Sequence, residues 1–185
     1  MKYIMITGAS SGIGEETARL LARQEDVTTI LVARNEEKLK KLVNEFGGET
    51  KYLVYDLTDV WHIESCFIKC REWGIKLDGL IHCAGIGENM PIRLIQTEHI
   101  KKMYQIHPMA FIELGKYFSK RKYSNDGSSI VVMSSMAAYE MEKGMAAYAS
   151  SKAAVNAVVK VMAKEMVAQL ASGMVHFLRI LRYAR

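Results

Sequence analysis

A tyrosine and a lysine four positions apart are the residues of this sequence best suited to chemistry. Tyr148 and Lys152 lie in the stretch AYASSKAA, which favours helix, so both side chains are expected on one helix face about one turn apart. A free phenol is a poor acid or base at neutral pH, but a neighbouring ammonium stabilises its phenolate form. The pair is therefore a candidate proton donor and acceptor for carbonyl chemistry. The same spacing also occurs by chance on the exposed face of an ordinary helix.

A glycine-rich turn near the N-terminus is the second candidate site. The sequence predicts a buried strand over Lys2–Thr7 and a helix from Glu15 to Gln24. Such a turn allows close approach to a pyrophosphate, and the free N–H groups of the helix N-terminus face the anion. The alternative, a flexible loop of small residues, fits poorly with a position between a strand and an amphipathic helix. The candidate phosphate-binding residues are Gly8, Ser10, Ser11, Gly12, Ile13 and Gly14.

Strands and helices are expected to alternate along the rest of the chain. Further strands are predicted over 28–33, 51–55, 79–83, 129–133 and 175–181, and helices over 35–46, 59–73, 97–121 and 145–170. This order predicts an α/β fold in one domain, residues 1–185, with a doubly wound, mostly parallel sheet in a three-layer α/β/α arrangement. Ligands in such folds bind at the carboxyl ends of the strands. The residues that fall at those ends are Gly8, Arg34, Asp56, Gly85 and Ser135.

Composition and charge narrow the class of protein. The net charge of +5 is spread along the chain, which suits an anionic cofactor and gives no nucleic-acid-binding stripe. No apolar run is long enough to span a membrane, and the first residues predict a strand rather than a signal peptide. Three cysteines, Cys66, Cys70 and Cys83, are too few for a disulfide framework, and the sequence offers no metal-ligand spacing. We therefore expect a cytoplasmic protein with a small-molecule partner, no nucleic acid and no membrane.

Several short motifs together resemble the short-chain dehydrogenase/reductase family, and in particular 3-oxoacyl-carrier-protein reductases, over about residues 3–165. They agree with the family in order, in spacing and in strand-end placement. The resemblance implies a Rossmann fold that binds NAD(H) or NADP(H) and performs reversible hydride transfer with a carbonyl or alcohol. The matching motifs are Thr7-Gly8-x-x-x-Gly12-x-Gly14, Asp56-Leu57, Cys83-Ala84-Gly85, Ser135 and Tyr148-x-x-x-Lys152.

The resemblance also implies a role for each matching residue. Ser135 would hold the substrate carbonyl oxygen, and Tyr148 would transfer the proton. Lys152 would bind the nicotinamide ribose and make Tyr148 a stronger acid, so that both residues also belong to the cofactor site. Asp56 and Leu57 would lie near the adenine, and the backbone of Cys83, Ala84 and Gly85 would line the adenosine ribose.

The end of the second predicted strand bears on the choice of cofactor. NAD enzymes usually place an acid there, which bonds the ribose hydroxyls and repels a 2′-phosphate. This chain has Arg34 and Asn35 instead, and a guanidinium can pair bidentately with a phosphate. The missing acid therefore favours NADP(H) over NAD(H), the alternative for Arg34 being a solvated residue at the start of a helix.

Two histidines stand where the family has asparagines. His82 and Cys83 replace the first two residues of the usual Asn-Asn-Ala-Gly, so the amide bonds that brace neighbouring strands need substitutes. His107 aligns with the family's catalytic asparagine, whose main-chain carbonyl helps to hold a water of the proton relay. Pro108 removes a helix N–H and predicts a local kink beside it. We count His107 as a candidate catalytic residue, and a role for its imidazole in proton relay stays open beside the alternative of no catalytic part.

The last residues differ most from the family. Its sixth strand leads to a Pro-Gly turn beside the nicotinamide, whereas the only prolines here are Pro91 and Pro108. We therefore expect residues 171–185 to be an atypical tail, the chain to be truncated relative to the family, and its turnover to be low, with a tendency to form homo-oligomers. Two alternatives remain: a nucleotide-binding module with impaired catalysis, and a nucleotide-sugar dehydratase or epimerase, against which the glycine spacing argues.

Overall fold

The strands form one parallel sheet, in which the first strand lies at the centre. The computed structural model describes residues 1–140 and 142–166 and the backbone of 170–178. All neighbouring strands are parallel, and their spatial order is β3-β2-β1-β4-β5-β6. The strands are β1 (Lys2–Thr7), β2 (Val27–Ala33), β3 (Lys51–Val54), β4 (Leu77–His82), β5 (Ser124–Met133) and β6 (Leu170–Leu178). This order confirms the doubly wound α/β fold.

The helices connect successive strands and differ from the predicted ones mainly at their ends. The helix predicted over 59–73 begins as a 3₁₀ turn, Val60–His62, and becomes α-helical only at Glu64. Asn35 precedes its helix as an N-cap, where its side chain accepts a hydrogen bond from the Lys38 N–H at 3.0 Å. The α-helices are α1 (Gly12–Ala22), α2 (Glu36–Phe46), α3 (Glu64–Glu72), α4 (Thr97–Tyr104), α5 (Ala110–Phe118) and α6 (Ala146–Glu165).

Two apolar clusters cover the two faces of the sheet. Side chains alternate along a strand, so Met5 and Ile6 of β1 enter different clusters, both fully buried. Helices α1 and α2 pack on the Ile6 face through residues such as Ala18 and Leu39. Helices α3, α5 and α6 pack on the Met5 face, where the largest buried side chains include Phe67, Phe111 and Phe118. The predicted three-layer arrangement is confirmed.

The long helix predicted over 97–121 is interrupted at Pro108. A π-turn, Gln105–Met109, separates α4 from α5. Proline has no N–H to donate, and its ring excludes the carbonyl one turn earlier, so a regular α-helical ladder cannot pass through this position. The Ala110 N–H accordingly reaches the carbonyls of Gln105 and His107. The predicted kink beside His107 is thus confirmed.

The last described strand begins earlier than the sequence suggested. β6 covers Leu170–Leu178 rather than 175–181, and it pairs with β5 from Ile130–Val175 to Met133–Leu178. The helix predicted to reach 170 ends at Glu165. Residues 179–185, which hold the rest of the predicted tail, lie outside the described residues. Among the helices of the described ranges, none is both long and apolar enough to cross a bilayer.

Candidate active site

A cleft of about 430 Å³ lies at the carboxyl ends of the central strands. It is formed where the chain leaves β1, β2, β3 and β4, as expected for a doubly wound sheet. Eight residues predicted from the sequence line it: Gly8, Ser10, Ser11, Arg34, Asp56, Leu57, Ala84 and Gly85. Gly12, Ile13 and Gly14 continue from Ser11 as the first turn of α1, and Cys83 directly precedes Ala84. The sequence analysis did not predict the other six lining residues, which are Val32, Ala33, Asn35, Tyr55, Ile86 and Ile106. All of them except Ile106 are close in sequence to a predicted strand-end residue.

Glycines set the shape of the turn that leads from β1 past this cleft into α1. A Cβ on Gly14 would lie 2.3 Å from the Gly8 carbonyl oxygen, so no larger residue fits where α1 packs on the end of β1. A Cβ on Gly12 would meet nothing within 4 Å. Gly12 therefore faces open space directly at the N-terminus of α1, where N–H groups and the helix dipole favour an anion. The residues present fit the pyrophosphate of a dinucleotide.

Two opposite charges face each other at one side of the cleft. The Arg34 guanidinium lies 3.8 Å from an Asp56 carboxylate oxygen, and both side chains are about half exposed. The Asp56 carboxylate also accepts hydrogen bonds from the N–H and the hydroxyl of Thr58, at 3.0 and 2.8 Å. Desolvation opposes its ionisation, but the Thr58 hydrogen bonds and the charge of Arg34 hold the pKa of Asp56 below its ordinary value. Arg34 thus has an exposed positive charge with only a weak partner.

Tyr148 and Lys152 lie on one face of α6, as their spacing predicted. The Lys152 Nζ is 5.9 Å from the centre of the Tyr148 ring and donates a hydrogen bond to the Met133 carbonyl at 2.9 Å. Only 6% of Lys152 is exposed, and this desolvation lowers the pKa of its ammonium to about 8. Lys152 also borders the nucleotide cleft, because its Nζ lies 3.6 Å from the position that a Cβ on Gly85 would take. The face that carries the two residues therefore adjoins the cofactor region.

The two serines that follow β5 make different contacts. Ser134 is buried, and its hydroxyl donates to the Asn156 side-chain oxygen at 2.6 Å, which ties the end of β5 to α6. Ser135 is half-buried, and its Oγ accepts a hydrogen bond from the Ala137 N–H at 3.2 Å. Ser135 therefore caps a short turn at the strand end, and its hydroxyl hydrogen is left for another acceptor. The Ser134–Asn156 link was not predicted.

His107 lies against Tyr148 with both ring nitrogens engaged. The two rings meet edge to face, with their centres 5.7 Å apart. The His107 Nε2 accepts a hydrogen bond from the Ile86 N–H at 3.1 Å, and its Nδ1 lies 2.8 Å from the Ser151 Oγ. Desolvation, reinforced by the charge of Lys152, lowers the pKa of His107 to about 2. The imidazole is neutral at the edge of the candidate site.

The cysteines sit in environments that keep them as thiols. Burial raises the pKa of Cys83 to about 11, and that of Cys66 and Cys70 to about 12. Within residues 1–140 and 142–166 no group of three or more metal-binding side chains stands together.

Comparison with known proteins places this geometry in a family. The family model of the short chain dehydrogenases matches residues 2–171. The chain is 33% identical over 165 residues to benzil reductase ((S)-benzoin forming) IRC24 of Saccharomyces cerevisiae, an alignment that covers 84% of this chain and 62% of that protein. The chain thus spans less than two thirds of the length of this curated relative.

Two solved structures resemble the fold closely. A short chain dehydrogenase of Shigella flexneri complexed with NADP has a TM-score of 0.82 and 29% identity, and the match covers 91% of this chain and 73% of that one. A 4-hydroxyisoleucine dehydrogenase complexed with NADH also has a TM-score of 0.82, with 28% identity, covering 91% of this chain and 69% of the other. Because the family model matches nearly the whole sequence, the chain belongs to the short chain dehydrogenase family, whose members are nicotinamide-dependent oxidoreductases.

Proposed function

We propose that this protein is an NADP(H)-preferring oxidoreductase that interconverts a carbonyl and an alcohol, with Tyr148 as the proton-transfer residue. One observation carries the proposal: Lys152 is at once the neighbour of Tyr148 and of Gly85, which lines the nucleotide cleft. A proton donor at the border of a dinucleotide site is the arrangement that carbonyl reduction requires.

Each polar group around the site has a distinct task in this reaction. A bound nicotinamide would supply the hydride for reduction and would accept it in the reverse reaction. Tyr148 gives its phenolic proton to the substrate oxygen as the carbonyl carbon is reduced, so that a carbonyl plus a hydride plus a proton becomes an alcohol. The Ser135 hydroxyl donates a hydrogen bond to the same oxygen and orients it. Lys152 uses one of its three N–H donors on the Met133 carbonyl, which leaves two for ribose hydroxyls and for stabilising the Tyr148 phenolate.

The preference for NADP(H) follows from Arg34 in this proposal. Its guanidinium is 59% exposed at the side of the cleft, and its ion pair with Asp56 is long, at 3.8 Å. A 2′-phosphate carries more charge than one carboxylate and can take two parallel N–H donors from a guanidinium, so it would displace Asp56 as the partner of Arg34.

Arg34→Asp is expected to remove the preference. A charge-assisted phosphate contact contributes about 1.5–3 kcal/mol, so the parent protein should bind NADPH about 10–100-fold more tightly than NADH. In the variant the two affinities should become equal or reversed. Fluorescence titration with both cofactors measures this, and Arg23→Asp, at the opposite end of α1, controls for the change in net charge. Equal affinities in the parent protein would show that Arg34 does not select the cofactor.

The proposed activity is tested by following NADPH oxidation over a panel of carbonyl compounds. The panel contains aromatic diketones, because one relative is named a benzil reductase, together with small ketones and 3-oxoacyl thioesters. Oxidation that depends on the carbonyl compound supports the proposal.

The formation of homo-oligomers stays a prediction. Analytical ultracentrifugation of the same protein preparation tests it.

A nucleotide-binding module without turnover is the second candidate. It is favoured by His107, since a neutral imidazole with both nitrogens engaged stands where the family has its catalytic asparagine. Tight NADPH binding with no oxidation on any carbonyl compound would support this candidate over the first.

A further inference from the structure

Two histidines are buried directly beneath the candidate site. His82 ends β4 and is 2% exposed, and His107 lies in the π-turn and is 1% exposed. Each ring makes two hydrogen bonds with neighbouring elements, and desolvation lowers the pKa of His82 to about 3 and that of His107 to about 2. Both imidazoles are therefore neutral at physiological pH, and their hydrogen bonds identify which nitrogen carries the proton.

The partners of His82 require a proton on Nε2. This nitrogen lies 3.2 Å from the Ile106 carbonyl, which can only accept a hydrogen bond. The Nδ1 is then the acceptor, and it lies 2.7 Å from the Thr7 hydroxyl, which donates. His82 thus joins the end of β1 to the π-turn through a single ring, a span that an asparagine side chain covers only in part.

The partners of His107 require the opposite tautomer. Its Nε2 faces the Ile86 N–H, which can only donate, so the proton is on Nδ1. The Nδ1–H donates to the Ser151 Oγ at 2.8 Å, and the Ser151 hydroxyl donates in turn to the Tyr148 carbonyl, also at 2.8 Å. A chain of hydrogen bonds therefore runs from the segment after β4 to the backbone of Tyr148.

The two rings hold consecutive residues of the π-turn. In a regular α-helix the Ala110 N–H would bond the Ile106 carbonyl, but here it reaches the carbonyls of Gln105 and His107. The Ile106 carbonyl instead accepts the hydrogen bond from His82. The interruption that Pro108 imposes on the helix thus supplies the acceptor for one histidine and places the ring of the other beside α6.

We infer that His82 and His107 are a pair of positioning residues with opposite, fixed tautomers, coupled through the π-turn, and that together they set the position of Tyr148. Neither imidazole carries the catalytic proton, because every ring nitrogen already has a protein partner. The link to turnover rests on the proposed function, whereas the tautomers and their coupling do not.

The titratable groups that face the pair support its neutrality. The ammonium of Lys152 opposes protonation of both rings, and Tyr148 meets His107 edge to face. The thiol of Cys83, next in the chain to His82, is neutral. On the other side of His82 its ring stacks on Phe111, with centres 6.0 Å apart. Among the described residues, no carboxylate raises the pKa of either ring.

Nitrogen-15 NMR of the histidine rings in the unmodified chain tests the tautomers directly. Long-range ¹H–¹⁵N spectra should show a protonated Nε2 in His82 and a protonated Nδ1 in His107, unchanged from pH 8 to pH 5. The exposed His62 serves as the internal control for a ring that is open to solvent. The same tautomer in both buried rings, or titration of either one near pH 6.5, would overturn the inference.

His82→Asn tests the coupling, because it retains reach toward Thr7 but not toward Ile106. The ring signals of His107 should shift and begin to respond to pH, since the π-turn loses one of its two supports. In activity assays kcat should fall about ten-fold while the Kd for NADPH stays within about three-fold. Unchanged His107 signals in a folded variant would refute the coupling, and unchanged kcat would refute the positioning role. His62→Asn is the matched control for histidine removal.

Discussion

Replacing Tyr148 with phenylalanine is expected to abolish almost all turnover while NADPH binding stays within about three-fold of the parent value. The phenolic oxygen is the only atom lost, and general acid–base groups contribute roughly 10²–10⁴-fold to a rate. The aromatic contact with His107 is retained by the phenylalanine ring, so the fold should be unaffected. Steady-state kinetics on any carbonyl compound that the panel identifies, with cofactor titration alongside, measure both effects.

Two further variants make this result specific. Tyr3→Phe removes a phenolic oxygen near the opposite end of the sheet, where it contacts Glu49 at 3.4 Å, and it should leave turnover unchanged. Lys152→Met should lower both turnover and cofactor affinity, because Lys152 adjoins Tyr148 and the cleft at the same time. A Tyr148→Phe enzyme with most of its activity would rule out the assigned proton transfer.

Gly14→Ala is expected to damage the nucleotide cleft severely. The added Cβ would lie 2.3 Å from the Gly8 carbonyl oxygen, a backbone atom that cannot rotate away. Overpacking of this kind costs about 1–3 kcal/mol or more of unfolding free energy, and the displaced turn should lose cofactor affinity as well. Urea unfolding and NADPH titration measure the two losses.

Gly12→Ala separates the loss of cofactor binding from the loss of stability. Its Cβ would meet nothing within 4 Å, and its positive φ of 54° costs only about 1–2 kcal/mol for a residue other than glycine. It should therefore fold, and it should bind NADPH weakly because the methyl group enters the space left for the phosphates. If Gly14→Ala is as stable and as tight a binder as the parent, the cradle does not have the assigned geometry.

The fold could be predicted from sequence because its signals are local. Apolar runs fix the strands, and the glycines after β1 mark a turn that only a small residue permits, so β1 was predicted with its observed bounds, Lys2–Thr7. The spacing of Tyr148 and Lys152 needed no more than helical periodicity to place both on one face. Pro108 likewise predicted a break in its helix, because proline lacks the backbone N–H that a regular helix needs, whatever its tertiary surroundings.

The connections within the site could not be predicted, because they join elements that are distant in the sequence. Ser134 reaches Asn156 across 22 positions, and His82 reaches Ile106 across 24. Both contacts depend on which strand neighbours which helix, and residue type alone does not fix that. The contacts of the π-turn could not be predicted for the same reason. Pro108 indicates a kink, but the hydrogen-bond partner of the Ile106 carbonyl is set by the packing of β4 against the π-turn.

The measurement that tests the central claim most directly is isotope transfer. The chain is incubated with NADPH carrying deuterium at C4 of the nicotinamide and with the carbonyl panel, and the alcohols formed are examined by mass spectrometry, which detects even slow turnover. The account predicts one deuterium on the carbinol carbon of at least one product, formed by the parent chain and absent with Tyr148→Phe. Tight NADPH binding with no deuterium in any product, or equal incorporation by both proteins, would contradict it.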